Sequence, residues 1–270
     1  MSLYKKRKQK SATVAILWIL LTLALVVGVV YGIYWSFNQD KIDKVTLCPS
    51  SGAKGEYVVL IDNTSPFPFT QKAALAKRLQ NMILNEVPEG TLVTVFLLGE
   101  DYQHNSDPVF VMCNPGQWGD KNKFTNTQKF VDKDFNEKFA KPLDAVVRKI
   151  PLDVRAKTSP IFEMLQLASL HGFNHLNAQG EKHLIIYSDM AANMPRFSMY
   201  KNAQLSYKDF AKSAYGQEAV APALMDVSVT INMLAAESSV TPYNKRAEFW
   251  AQYFSANGAS LDRVNPMEGL

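Results

Sequence analysis

Asp62-Asn63-Thr64, Thr158-Ser159 and Asp189 are three places where oxygen-bearing side chains stand at the expected edges of regular elements. Carboxylates and hydroxyls are the donors that hard divalent cations prefer. Mg2+ keeps several of its own waters, so a few protein oxygens complete a site for Mg2+ or Mn2+. A second use of the same residues is purely structural: Asp62 and Asp189 end their elements by accepting bonds from backbone amides, and Ser159 caps a helix.

Other chemistry finds less support. No Gly-x-Ser-x-Gly elbow, P-loop or glycine-rich dinucleotide fingerprint occurs. His171 and His175 have the i, i+4 spacing of a helical zinc pair, but no His-Glu-x-x-His surrounds them and Gly172 weakens the helix between them. A solvated helix end is the expectation there. Phosphotransferases of the haloacid dehalogenase type place Asp-x-Asp-x-Thr after their first strand; Asp62-Asn63-Thr64 lacks the second Asp, so a phosphatase-like hydrolase is the weakest reading and no enzyme is expected. Met190, Met194, Met199 and Phe197 gather after Asp189, with Pro195 and Arg196 between them. Flexible, polarizable methionines beside a site suit contact with a protein partner, which makes Met190, Met194, Arg196 and Phe197 candidates; the alternative is a lid folded back over the core.

These residues need elements to position them. The continuous apolar run Tyr57–Ile61 reads as a strand ending at Asp62, followed by a turn-rich Asn63-Thr64-Ser65-Pro66 and a helix over about 70–85 with Leu75, Leu79, Met82 and Ile83 at helical spacing. Strands follow over Thr91–Leu98 and Pro108–Cys113; so short a connection between them favours an antiparallel pair. Phe130–Ile150 carries a helical apolar face, and a helix from Pro160 to about His171 starts with Ser159 as its expected cap and proline at its first position. Lys182–Tyr187 is a strand ended by Ser188-Asp189-Met190, then come a Met-rich loop, a helix near 207–215, a strand near 226–234 and an amphipathic helix near 245–256. Alternating strands and helices predict an α/β fold, a doubly wound and mostly parallel sheet with helices on both faces. Ligands bind such sheets beyond the carboxyl ends of the strands, where strand order reverses.

The N-terminus has a different character. Ser11 to Gln39 holds no formal charge, and Ala12–Trp35 is dominated by aliphatic and aromatic residues; as a helix it reaches roughly 36 Å, enough to cross a hydrocarbon core about 30 Å thick. A cleaved signal peptide would have a shorter apolar region and a small-x-small cleavage pattern. Lys5, Lys6, Arg7, Lys8 and Lys10 precede the span, which places the N-terminus in the cytoplasm by the positive-inside rule and the rest outside it. Tyr31, Tyr34 and Trp35 collect at its far end, where amphipathic rings favour the membrane interface, and Gly28 with Gly32 gives a GxxxG spacing through which two copies could associate. Those five cations account for the chain's net charge of +4, so the remainder is near neutral and shows no electrostatic footprint for nucleic acid. The only cysteines, Cys48 and Cys113, fall in the part placed outside, where either a disulfide or two separate thiols is open.

From about Glu56 to Gly258 the sequence resembles the von Willebrand factor A-type domain, whose metal-ion-dependent adhesion site uses Asp-x-Ser-x-Ser after the first strand, a later Thr and a later Asp. The resemblance makes Asp62 the first-strand Asp, Thr64 the first hydroxyl ligand, Thr158 or Ser159 the distant hydroxyl and Asp189 the later Asp, with Mg2+ or Mn2+ as the ion. Ser188-Asp189-Met190 stands where the family often has Asp-Gly, and Pro66 takes the second serine position without a donor. The resemblance further implies an antiparallel third strand at the sheet edge. Cys113 would then lie at the pole where Cys48 enters, and the site would face away from the membrane.

The expected organisation is a basic cytoplasmic tail (1–11), a transmembrane helix (12–37), a tether (38–55) and an A-type-like α/β domain (56–270). The expected function is a protein-binding module on a single-pass inner-membrane anchor, working in an extracytoplasmic, cell-envelope assembly and using a divalent metal. The alternative is a structural subunit of an envelope or secretion complex with a degenerate site.

Overall fold

The computed structural model of the protein describes residues 2–37, 40–65, 69–121, 126–151, 155–173, 178–235 and 239–267. The chain forms two compact units, Met1–Lys41 and Ile42–Leu270.

The first unit is one helix, α1 (Ser2–Phe37). Its stretch Val14–Tyr34 is long and apolar enough to cross a membrane. Leu17, Ile19, Leu20, Leu23 and Leu25 are exposed all around it, so its apolar surface is not covered by the rest of the described chain.

The second unit is built on a six-stranded sheet of β1 (Glu56–Asp62), β2 (Leu92–Leu98), β3 (Phe110–Cys113), β4 (Lys182–Ser188), β7 (Val227–Met233) and β8 (Ser260–Pro266). Their order is β3-β2-β1-β4-β7-β8, parallel throughout except for β3, which runs antiparallel to β2 at one edge. The apolar run of β1 is explained by burial on both faces: Val58 and Leu60 point into one core layer, Val59 and Ile61 into the other. The first layer is closed by α5 (Ile161–Gly172) and α8 (Tyr243–Ala256), the second by α2 (Phe69–Asn85) and the helical run Gln128–Lys149. Phe162 centres the first layer, stacked on Phe210 and in edge contact with Phe249 and Tyr253.

Several expectations shift in detail. The helix predicted over 130–150 is α3 (Gln128–Asp134) continued through a π-turn, Phe135–Ala140, into α4 (Lys141–Lys149); Phe135 and Phe139 pack together on its inner face. The region near 207–215 is two short helices, α6 (Tyr207–Lys212) and α7 (Ala214–Glu218), each capped by a serine hydroxyl. Inside the Met-rich loop lies a small hairpin, β5 (Asn193–Met194) and β6 (Phe197–Ser198), turning at Pro195-Arg196. β8 was not foreseen at all: Ser-Leu-Asp-Arg-Val-Asn-Pro carries no apolar run, and it is a strand because the ladder from β7 makes it one.

Cys48 and Cys113 form a disulfide with a Cα separation of 4.9 Å. Cys113 pairs with Leu92 at the start of β2 and its amide bonds to Thr46 O, so the bridge ties the segment before β1 to the amino-terminal pole of the sheet. Asp62 stands at the opposite end of β1.

Candidate functional site

β1 and β4 are neighbours at the point where the strand order reverses, the place such sheets leave a crevice. Asp62 closes β1, and Asp189 follows β4 directly. Both are buried, at 3% and 2% exposure, as are Thr64 and Ser159.

Asp62 Oδ1 accepts the Thr64 amide at 2.9 Å and the Thr64 hydroxyl at 2.7 Å, an Asx-type turn that fixes the loop after the strand. Its Oδ2 accepts the Ser188 hydroxyl at 2.6 Å. Thr64 Oγ1 lies 2.8 Å from Ser159 Oγ, a contact across 95 positions of chain. Asp189 Oδ1 accepts the Ala191 amide at 2.9 Å, while its Oδ2 accepts the hydroxyls of Tyr200 at 2.9 Å and Ser65 at 3.1 Å. Three distant segments thus deliver two carboxylates and a set of hydroxyls to one spot.

The two candidates for the distant hydroxyl separate. Ser159 joins the cluster and also exchanges backbone bonds with Asn193 of β5; the half-buried Thr158 instead donates its hydroxyl to Glu100 at 3.0 Å. Ser159 does not cap α5, whose cap position is Pro160 without a side-chain bond. Pro66 and His175 lie outside the described residues. Met190 is a core residue rather than a contact surface: it is fully buried, as is Met199, because the segment folds inward against α8. Met194 and Phe197 are half-buried against the same core, and Arg196 alone is exposed, paired with Glu218 at 2.6 Å and over the Tyr215 ring.

Met190 adopts φ of 54°, the left-handed region that favours glycine. It is the position where the resembled family often carries glycine, and an ordinary side chain there costs of order 1–3 kcal/mol. Burial of the thioether and a 2.8 Å bond from Trp250 Nε1 to the Met190 carbonyl hold the strained backbone in place.

Burial, and secondarily the charge of Asp189, pushes the Asp62 carboxyl up to about 6, against the hydrogen bonds from Ser188 and Thr64. Burial also raises Asp189, opposed by the Ala191 amide, the Tyr200 and Ser65 hydroxyls and the charge of Arg246. Arg246 is 4% exposed, donates to Thr241 O at 2.8 Å and leaves its buried Nε without a partner. With both carboxylates ionised, one guanidinium is too little positive charge for this crevice. The oxygen-only donor set of Asp62, Thr64, Ser159 and Asp189 fits a hard divalent ion, although among the described residues no cluster of three or more carboxylate, histidine or cysteine side chains gathers.

Sequence reasoning missed four members of the network: Ser65, Ser188, Tyr200 and Arg246. Ser65 and Ser188 flank the assigned residues and turn inward only because of local backbone geometry. Tyr200 and Arg246 arrive from separate elements and left no local signal.

No family model and no curated protein matches the chain. Among solved structures it is similar to the vWA domain of SpRpn10, at 13% identity over 81% of this chain and 89% of that one, with a TM-score of 0.39. A von Willebrand factor type A protein from Catenulispora acidiphila matches at 9% identity over 78% of this chain and 43% of its own length, TM-score 0.36. An aerotolerance-related membrane protein from Bacteroides fragilis NCTC 9343, carrying multiple mutations to serines, matches at 14% over 79% of this chain and 92% of that chain, TM-score 0.31. By its own strand order, with only the third strand reversed and the acidic crevice at the switch point, the Ile42–Leu270 unit has a von Willebrand factor A-type-like fold, on a chain that also carries one apolar N-terminal helix.

Proposed function

We propose that this chain is a membrane-anchored protein-recognition module of an extracytoplasmic assembly. α1 spans the inner membrane with its basic end in the cytoplasm. A protein partner engages the rim formed by Asp62, Thr64, Ser159 and Asp189, with the half-buried Thr158 and the exposed Arg196 at its margin. Mg2+ or Mn2+ bound by the rim oxygens would balance the two carboxylates and accept an oxygen from the partner. The observation that carries this reading is the convergence of Asp62, Thr64, Ser159 and Asp189 at the switch point, two buried carboxylates short of positive charge.

A second reading, a structural subunit whose rim is closed, draws on the Asp189 carboxylate, which already accepts three hydrogen bonds from the protein. Titrating Mg2+ or Mn2+ into the full-length protein in detergent separates the two. Heat of binding and a raised melting temperature, both lost in Asp62→Ala, are expected. No heat and no thermal shift in wild type and variant alike would favour the structural subunit.

A further inference from the structure

β7 is an interior strand of a parallel sheet, yet only one of its faces is apolar. Val227, Val229, Ile231 and Met233 enter the core beneath α8, while Ser228, Thr230 and Asn232 alternate on the other side. Interior strands of such sheets are normally apolar on both faces because helices cover both. Here the polar face forms the floor of a groove of about 670 Å³ between α2 and β8.

Register arranges that floor in rows across neighbouring strands: Tyr57, His183 and Ser228; then Ile185, Thr230 and Arg263; then Tyr187, Asn232 and Asn265. A bulge in the β7–β8 pairing between Val229 and Thr230 brings Arg263, rather than Asp262, opposite Thr230. Arg78 of α2 and Glu86 just past its end form the facing wall, and the stacked Tyr57 and His183 rings, 4.3 Å apart, close one end.

Two features define what fits. Formal charges cancel, with Arg78 and Arg263 against Glu86 and Asp262, so the groove carries no net charge that would favour an anion over a cation. Among the described residues, no side-chain hydrogen bond or ion pair engages the hydroxyls of Ser228, Thr230 and Tyr187 or the guanidinium groups of Arg78 and Arg263. The groove is dense in donors and acceptors, in the paired form that amides, hydroxyls and opposed charges provide, and these outweigh the apolar atoms that Met82, Ile185 and Pro266 add to its lining. An apolar helix face laid over this floor would strand those groups at a cost of about 1–3 kcal/mol each.

We infer that this groove is a second ligand site, separate from the acidic rim, which takes a neutral polyhydroxylated ligand: a segment of a saccharide chain. Vicinal hydroxyls are both donors and acceptors, matching Asn232, Asn265, Thr230 and the two arginines without requiring charge.

Saturation-transfer NMR on the full-length protein, held in a detergent without sugar headgroups, tests the assignment with chitotetraose and cellotetraose as probes. At least one should receive saturation, and Thr230→Val and Arg263→Met should each weaken its binding roughly fivefold or more, the effect of one lost hydrogen bond. Both positions lie on the solvent side of the sheet, and unchanged melting curves would show that the variants fold. Transfer to neither probe, transfer unaffected by either substitution, or binding of inorganic phosphate in place of both sugars would overturn the assignment. The rim plays no part in the result, so Mg2+ titration and sugar binding succeed or fail separately.

Discussion

Asp62 shows how burial changes the work a carboxylate does. Its folded-state value of about 6 lies above the ordinary 3.8, so between those limits the folded protein holds the proton more tightly than the unfolded chain. Protonation therefore stabilises the metal-free protein as pH falls from about 7 towards 4, and that stability is lost as pH rises through about 6, the reverse of a salt-bridged carboxylate. Asp62→Asn should raise the melting temperature of EDTA-treated protein at neutral pH and flatten this contribution, as melting curves across the range would read; an unchanged slope would mean that the pair is not the source. Ser188 contributes in the opposite sense, since its hydroxyl favours the ionised Asp62 and its loss leaves a buried acceptor short of a donor.

At the scale of elements, α5 lies close on β1 because Gly172 permits it. A methyl group at Gly172 would stand 2.4 Å from Val58 Cγ2, well inside contact distance, and Val58 is itself fully buried. Gly172→Ala is expected to cost about 1–3 kcal/mol by overpacking, measurable by chemical denaturation, whereas alanine in a helix not pressed on a strand would be neutral or favourable. The loop 239–242 shows a related dependence. The Thr241 hydroxyl bonds to Met199 O and Asn202 O, and Arg246 holds Thr241 O, so the turn carrying Tyr200 to Asp189 is anchored from beyond β7.

For the whole molecule, the Cys48–Cys113 bridge closes 65 positions of chain and fastens the segment preceding the sheet to its edge. On the loop-entropy account its removal by Cys48→Ser with Cys113→Ser should cost about 4 kcal/mol or less, read as a lower denaturation midpoint. A bridge of this kind persists in an oxidising compartment, in agreement with the proposed topology. That topology predicts an active alkaline phosphatase fused after Leu270 and a dark green fluorescent protein in the same place; the opposite pair of results would invert the orientation.

Sequence alone determined the parts governed by local pattern. The uncharged apolar stretch of α1 sets its length against a bilayer, the doubly apolar β1 announces a strand covered on both faces, and the short link between β2 and β3 forces them antiparallel. Asp62 and Asp189 were legible because strand ends in this architecture converge at one edge, and Thr64 through the resemblance to the A-type domain. Tertiary structure decided what depends on distant partners. It chose Ser159 over Thr158, brought Tyr200 and Arg246 to Asp189, buried Met190 in a strained backbone, and made β8 a strand without an apolar residue run. Each of those outcomes is fixed by packing or a backbone ladder across scores of residues, an interaction that no local spacing encodes.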